Sequence, residues 1–518
     1  MANRQKFRRI GIVGAGSMGS MMALAFSELG LDVSIWDVKA DNVDRLLDNA
    51  KNVKSLKGSL DGFHKLEDFI RSLDKSPRRL FLFSITHGPP ADSVLNQLRD
   101  QLKSGDIILD GGNENYRNTE RRQNELKSKG VAWIGMGVSG GYQAARHGPS
   151  LSPGGEEGII NDVLPLLQKY SAKESKTGRP CVAYIGPRGS GHYVKMVHNG
   201  IENGMLSTLC EAWGLLHQCL GLEYDEIGKI FENWNATGEL KNTYLVEIGS
   251  QICEQKRGPE SDQKGKGNRR QCHMLDEVLD KVVQDDDDTE GTLYWSVMEA
   301  AERHIAAPTI ATGHFLRVAS GNRAQRVKVA TNLRNVPRPR QVKLSENDKA
   351  RFIESLRLAV YASFLCSYCQ GLELIARAST DEDWHVNLET CIQIWRAGCI
   401  IRADHIADIL EPALTNAAER HIHVMNVKLI DEVAAALAHN YQNLKEVVLR
   451  AGEWDAYAPS LSASLEYVKY EAGTSLPTQF MEAEMDLFGA HGYDKPKVKG
   501  EDPGKPQKGA HHFEWKPA

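Results

Sequence analysis

Lys195, Asn199 and Glu202 stand at i, i+4 and i+7 in the stretch G-H-Y-V-K-M-V-H-N-G-I-E-N-G, residues 191–204. At about 100° per residue they share a sector of roughly 60° on a helix, with His192 close by. Tyr193, Val194, Val197, Ile201 and Met205 fall mostly on the other sides, so the helix is largely apolar and carries one narrow polar stripe. Burial of such a stripe serves stability poorly, because an unpaired internal ammonium or carboxylate is strongly disfavoured. An acid, a base and an amide on one face are what proton transfer needs. The competing reading of this helix alone is a solvated face with an incidental Lys and Glu.

A second constellation opens the chain. Residues 9–19, R-I-G-I-V-G-A-G-S-M-G, give a short apolar strand and then Gly14-Ala15-Gly16-Ser17-Met18-Gly19 at the start of a helix expected over 20–29. Glycines at this spacing allow a tight turn, close approach of a pyrophosphate and packing of helix on strand, with the phosphates at the helix N-terminus. A second strand, 32–36, ends in Asp37, where an acid can hold the ribose hydroxyls of NAD.

Further strands are expected at 80–85, 107–109 and 131–136, with a polar helix over 116–129. Strands alternating with helices indicate an α/β, doubly wound parallel sheet whose loops at the strand C-termini face a ligand. The glycine-dense stretch 135–155 reads either as loop or, at Ser139-Gly140-Gly141, as a hydroxyl and backbone N–H groups offered to a carboxylate. Beyond about residue 188 helical patterns take over: 206–220, 224–234 and 347–377, the last opened by a capping box at Ser345 and Asp348. Residues 254–290, with K-G-K-G-N-R-R and Asp285 to Asp288, read as a polar excursion. After Gly473 the chain becomes rich in Gly, Pro and Lys and ends in an aromatic tip, a tail with too little apolar content to fold alone.

At 518 residues two domains or more are expected, and 41% hydrophobic with 25% charged residues is an ordinary globular composition. The net charge of −5 argues against non-specific nucleic-acid binding. No run of about 18 apolar residues is evident, and a strand starting near residue 7 leaves no room for a cleavable leader, so no membrane span is expected. Nine scattered cysteines suggest reduced thiols and a cytoplasmic setting; Cys366 and Cys369 sit in an apolar helical pattern and read as buried thiols. No cluster has convincing metal spacing, so no metal is expected.

Six stretches together resemble the 6-phosphogluconate dehydrogenase family, in the family's order: G-A-G-S-M-G, I-L-D-G-G-N-E-N-Y-R, G-V-S-G-G-x5-H-G-P-S-L-S-P-G-G, G-H-Y-V-K-M-V-H-N-G-I-E, W-R-A-G-C-I-I-R and D-L-F-G-A-H. The resemblance covers nearly the whole chain. It implies a Rossmann-type domain (1–187), a large all-helical domain (188–473) and a C-terminal tail (474–518) reaching the partner subunit of a homodimer. It implies oxidative decarboxylation of a 3-hydroxy sugar acid, a step of the pentose phosphate pathway: hydride transfer to NAD(P), loss of CO2 and protonation of the enediol. Carried over, Lys195 takes the hydroxyl proton and polarises the ketone, and Glu202 protonates the enediol. Asn199, Asn113, His198 and the 139–141 loop would position substrate and nicotinamide. The alternatives are a 3-hydroxyisobutyrate-type dehydrogenase, disfavoured by length and by Glu202, and a non-catalytic dinucleotide-binding paralogue.

The sequence departs from the family at two places. Where members using NADP carry an N-R-T triplet, this chain has Asp37-Val38-Lys39, which favours NAD over NADP, although Lys39 could still reach a phosphate. At the substrate phosphate, the family's Tyr, Lys and two arginines align with Asn203, Glu290, Arg317 and Met485; only Arg317 survives, with His491 of the tail. The substrate is thus either 6-phosphogluconate itself or a related sugar acid lacking the phosphate, and loss of charge-assisted contacts leads to the expectation of an unphosphorylated or cationic acid, with Glu290 and Asn203 on its distal end. The stretch Lys264 to Arg270 is the alternative source of the missing positive charge.

Overall fold

The computed structural model describes residues 7–74, 76, 78–257, 272–283 and 291–516. Seven strands, β1 (Arg9–Val13), β2 (Asp32–Trp36), β3 (Leu60–Phe63), β4 (Leu80–Phe83), β5 (Ile107–Asp110), β6 (Ala132–Val138) and β7 (Leu151–Gly154), form one sheet in the order β3-β2-β1-β4-β5-β6-β7. Every neighbouring pair is parallel except β6 with β7. Ile10, Ile12, Val33, Ile35 and Leu82 pack into one core, and Val13, Phe81, Phe83, Ile108 and Trp133 into another. Burial on both faces explains why these strands read as unbroken apolar runs. The order reverses between β1 and β4, so the loops after their C-terminal ends flank a crevice.

The helices between strands are α1 (Ser17–Glu28), α2 (Ala40–Ala50), α3 (Leu66–Leu73), α4 (Pro89–Leu98), α5 (Tyr116–Lys127) and α6 (Gly141–His147), with α7 (Glu157–Tyr170) following β7. The stretch 135–155 is therefore loop only in part: it is the end of β6, a turn at Ser139 and Gly140, α6, a short connection and β7. Its glycines mislead because they serve close packing, as shown below.

From α8 (Ser190–Gly214) onward the described residues contain no further strand in the sheet. The helices are α9 (Tyr224–Ala236), α10 (Tyr244–Glu254), α11 (Thr292–Glu302), α12 (Pro308–Gly321), α13 (Arg323–Asn332), α14 (Glu346–Asp381), α15 (Leu388–Ile394), α16 (Asp404–Glu419), α17 (Asp431–Glu453), α18 (Pro459–Glu471) and α19 (Thr478–Gly489). The helix expected over 206–220 is the second half of α8, running into a π-type turn at Leu215–Cys219. At the start of α14 the Ser345 hydroxyl accepts the Asp348 N–H at 3.1 Å, which is the expected cap. By length and composition α14 could cross a membrane, but 94% of its apolar window is buried inside the protein, so it is a core helix. All nine cysteines are free, and Cys366 and Cys369 lie buried on α14, where burial pushes the Cys366 thiol up to about 12.

The chain forms two compact units, 1–465 and 466–518. The second has a fully buried polar centre at Asp486, so the tail organises itself by hydrogen bonds where apolar content is too small for a core. Glu290, Lys264 to Arg270 and Asp285 to Asp288, all singled out from the sequence, lie outside the described residues.

Candidate active site

The crevice beside β1 and β4 is shaped by what its glycines lack. Gly14 has a φ of +103°, and a side chain there would strike the Ser84 carbonyl after β4 at 2.3 Å. A side chain on Gly19 would come within 1.9 Å of the Gly14 carbonyl, so α1 is pressed against the loop that precedes it. Gly16, by contrast, faces open space, which leaves a bare backbone beside the first N–H groups of α1. This is a cradle that a pyrophosphate fits. Asp37 at the end of β2 closes it: one carboxylate oxygen accepts the Ala15 N–H at 2.6 Å and the other the Lys39 N–H at 2.7 Å. Val38 between them is 70% exposed.

The loops after β4 and β5 are locked together. Glu114 accepts the Gly88 N–H at 2.8 Å and an Arg122 N–H at 2.6 Å, and Arg122 is fully buried. Asn113 lies half-buried between Glu114 and Gly112, whose N–H is held by Asp110 at 3.2 Å.

Helix α8 lies on β6 and β7 because two glycines of β6 let it approach. A side chain at Gly137 would sit 2.4 Å from Lys195 Cβ, and one at Gly135 would sit 2.9 Å from His192 Nδ1. His192 bonds Thr119 Oγ1 at 2.6 Å and the Asp110 carbonyl at 3.0 Å. Its place next to the polar stripe is thus explained by the joint between sheet and helix, and it belongs to that joint.

The remainder of the stripe is buried, which excludes the solvated-face reading. Lys195 is 6% exposed; its Nζ donates to Ser139 Oγ at 3.1 Å and to Asn199 Oδ1 at 2.7 Å. An ammonium only donates, so the Asn199 atom facing it is the oxygen, and the amide nitrogen is left to donate to Thr292 Oγ1 at 2.9 Å. His198 Nδ1 also meets Asn199 Oδ1, at 3.0 Å, which puts its proton on Nδ1. Burial first, and the Lys195 charge second, hold His198 well below the usual histidine range and therefore neutral. Its buried Nε2 is an acceptor with no partner among the described residues. Glu202 is half-buried, with Oε2 at 3.8 Å from His198 Nδ1.

Ser139 is fixed in turn: its N–H donates to the Ser150 carbonyl at 3.0 Å. Gly140 follows at φ +95°, where a side chain would strike the Gly398 carbonyl at 2.4 Å, so the 139–141 loop is seated on the W-R-A-G-C stretch. At the other end, α12 crosses α8 at Gly313, which packs on Asn203. Asn203 is buried, and its Nδ2 has no acceptor among the described residues. Arg317 is one turn further along α12. The structure thus brings Ser139, Lys195, His198, Asn199, Glu202 and Asn203 together along one helix and one loop. Met485 and His491 lie in the second unit. Thr292, which sets the Asn199 amide, was not singled out as a contact; only its place in T-E-G-T hinted at it.

A Rossmann-type sheet with a phosphate cradle, joined to a helical array whose first helix offers a buried Lys-Asn-His stripe at the strand C-termini, defines a dinucleotide-dependent dehydrogenase. Residues 9–186 match the NAD binding domain of 6-phosphogluconate dehydrogenase, and residues 191–515 match the C-terminal domain of 6-phosphogluconate dehydrogenase. The chain is 59% identical over 502 residues to a decarboxylating 6-phosphogluconate dehydrogenase of Emericella nidulans, covering 97% of this chain and 100% of that one. It is 36% identical over 511 residues to decarboxylating 6-phosphogluconate dehydrogenase 1, chloroplastic, of Arabidopsis thaliana, covering 98% and 97%. Among solved structures, the 6-phosphogluconate dehydrogenase of Plasmodium falciparum superposes with a TM-score of 0.82 at 31% identity, over 98% of this chain and 100% of that one. The chain belongs to the 6-phosphogluconate dehydrogenase family. It is accordingly an NAD(P)-dependent oxidoreductase of the decarboxylating type, as the reading from its motifs holds.

Proposed function

We propose that this protein oxidises and decarboxylates 6-phosphogluconate to a ketose phosphate and CO2. The observation that carries the reading is the buried Lys195 between Ser139 and Asn199, with Glu202 two turns along the same helix. The cradle at Gly14 to Gly19 would hold NAD(P), which would supply the hydride acceptor. Ser139 and the 139–141 loop hold the substrate carboxylate. Lys195, after releasing one of its ammonium protons as the substrate site fills, takes the proton of the 3-hydroxyl as the neutral amine and then, an ammonium again, polarises the resulting ketone so that CO2 can leave. Glu202 protonates the enediol carbon. His198 Nε2 accepts from a substrate hydroxyl, and Asn199 and Asn113 orient substrate and nicotinamide. Arg317 and the open Asn203 amide receive the phosphate end, with His491 of the partner subunit.

Two findings favour the phosphorylated substrate: the Emericella relative bears that name over its whole length, and the Plasmodium enzyme was solved with 6-phosphogluconate. The sequence of Glu290, Asn203 and Met485 favours a second reading, an acid without the phosphate. An assay of NADH and NADPH formation with 6-phosphogluconate, gluconate and related aldonates separates them. A kcat/KM higher for a free aldonate than for 6-phosphogluconate overturns the first.

NAD is proposed as the preferred cofactor, on Asp37 at the ribose and Val38 where an Arg would read a 2′-phosphate. Against it stands the solved complex of the Plasmodium enzyme with NADP+. A homodimer in the cytoplasm is the proposed working form, with domains at 1–187 and 188–473 and a tail, 474–518, on the partner. Exposed Phe480, Met481 and Phe488 on α19 support that use of the tail.

A further inference from the structure

Helix α19 ends at Gly489, and Ala490, in the left-handed region at φ +47°, turns the chain into His491 and Gly492. One turn before that end lies Asp486, 0% exposed. One of its carboxylate oxygens accepts the Gly492 N–H at 3.0 Å and meets His512 Nδ1 at 2.9 Å. The other accepts the Phe513 N–H at 3.1 Å and the Trp515 Nε1–H at 2.8 Å. Burial works to raise this carboxyl, but the four donors outweigh it and hold it below the usual carboxylate range. The chain end is therefore folded back onto the helix end, and Tyr493 and His511 close the loop through two backbone bonds of 2.8 and 3.0 Å.

The turn that the Asp486 to Gly492 bond closes, residues 487–491, is the one that carries His491. Its ring centroid lies 5.6 Å from that of Phe488, and a side chain on Gly489 would strike the ring at 2.4 Å. Around this polar centre the apolar residues point outward: Phe480 is 72% exposed and Phe488 70%. A unit built this way keeps its shape by hydrogen bonds and saves its apolar surface for another body.

We propose that Asp486 is a positioning residue: together with His512, Phe513 and Trp515 it clamps the 490–492 loop so that His491 is presented, already folded, to the active site of a second copy of this chain. The inference rests on the two-copy reading of the tail given above. Preorganisation removes the ordering entropy that an extended tail would lose on docking.

Two variants test it, Asp486→Asn and a truncation after Gly509, which removes three of the four donors but keeps His491. Each is checked for unchanged elution volume and helical circular dichroism. Both are expected to raise KM for 6-phosphogluconate about tenfold or more while the Kd for cofactor is unchanged, a split that mere loss of stability does not produce. Each is then mixed with Lys195→Met under subunit exchange, verified by co-purification of two tags. At a 6-phosphogluconate concentration well below the wild-type KM, activity should rise on mixing to about a quarter of wild type, since half the reassorted dimers carry one site with both Lys195 and an intact tail. Unchanged KM in both variants overturns the role of Asp486 and leaves the dimer reading standing. A raised KM without recovery on mixing puts the tail on its own chain and overturns the two-copy reading instead.

Discussion

Lys195 Nζ donates to Asn199 Oδ1 at 2.7 Å, one turn along the same helix, and the far end of that amide is pinned by Thr292 Oγ1 at 2.9 Å. The ammonium is thus aimed by an amide that cannot turn over. Thr292→Val leaves the buried Asn199 nitrogen without its acceptor, a loss of about 1–3 kcal/mol for such a group. We expect kcat to fall about tenfold and the Kd for cofactor to stay constant in a fluorescence titration. Asn199→Ala should lower kcat further than Thr292→Val.

Lys195→Met should abolish turnover and leave dinucleotide binding nearly intact, because in the proposed mechanism Lys195 acts on the substrate hydroxyl and not on the dinucleotide. Glu202→Gln should slow protonation of the enediol by about 10²-fold. Steady-state rates within a factor of about three of wild type in both variants would show that the acid and base lie elsewhere.

For the cofactor, Asp37→Asn combined with Val38→Arg should shift preference towards NADP by removing a carboxylate and adding a guanidinium. The carboxylate also holds the Ala15 N–H, so a loss of NAD affinity is expected alongside. Comparison of kcat/KM for the two dinucleotides in wild type and variant decides the matter; a wild-type preference for NADP would assign control to Lys39.

Glu290→Lys should lower KM for 6-phosphogluconate if residue 290 faces the phosphate. A like charge at about 4 Å in an effective dielectric near 20 is worth roughly 4 kcal/mol. No change in KM would remove Glu290 from the substrate site.

A pH effect is expected from Glu211, buried on α8, which accepts the Ser460 and Leu461 N–H groups at 2.7 and 2.9 Å. Burial raises its carboxyl from the ordinary 4.5 to about 7, although those donors pull it down. The folded state then holds the proton more tightly than the unfolded chain. Its contribution is fully present below pH 4.5 and is lost as pH rises to about 7, by ~3 kcal/mol at about 1.4 kcal/mol per unit. Urea unfolding of Glu211→Gln between pH 5 and 8 should show a flatter dependence than wild type.

The glycine loop, Asp37 and the Lys195-Asn199-Glu202 stripe were legible in the sequence because each is local. A turn needs its glycines and a helix repeats every 3.6 residues, so spacing alone places such groups. The parallel sheet was legible for the same reason, since strands buried on both faces are continuous apolar runs. Burial of the stripe was not legible: it follows from the bare β6 face at Gly135 and Gly137, which looks like loop until β7 is seen to pair with it. His192 stood beside the reactive groups in sequence, and only its bonds to Thr119 and Asp110 moved it to the joint between sheet and helix. Thr292 and Asp486 were hidden because their partners lie 93 and up to 29 residues away. Periodicity tells which residues share a face; only packing tells what that face meets.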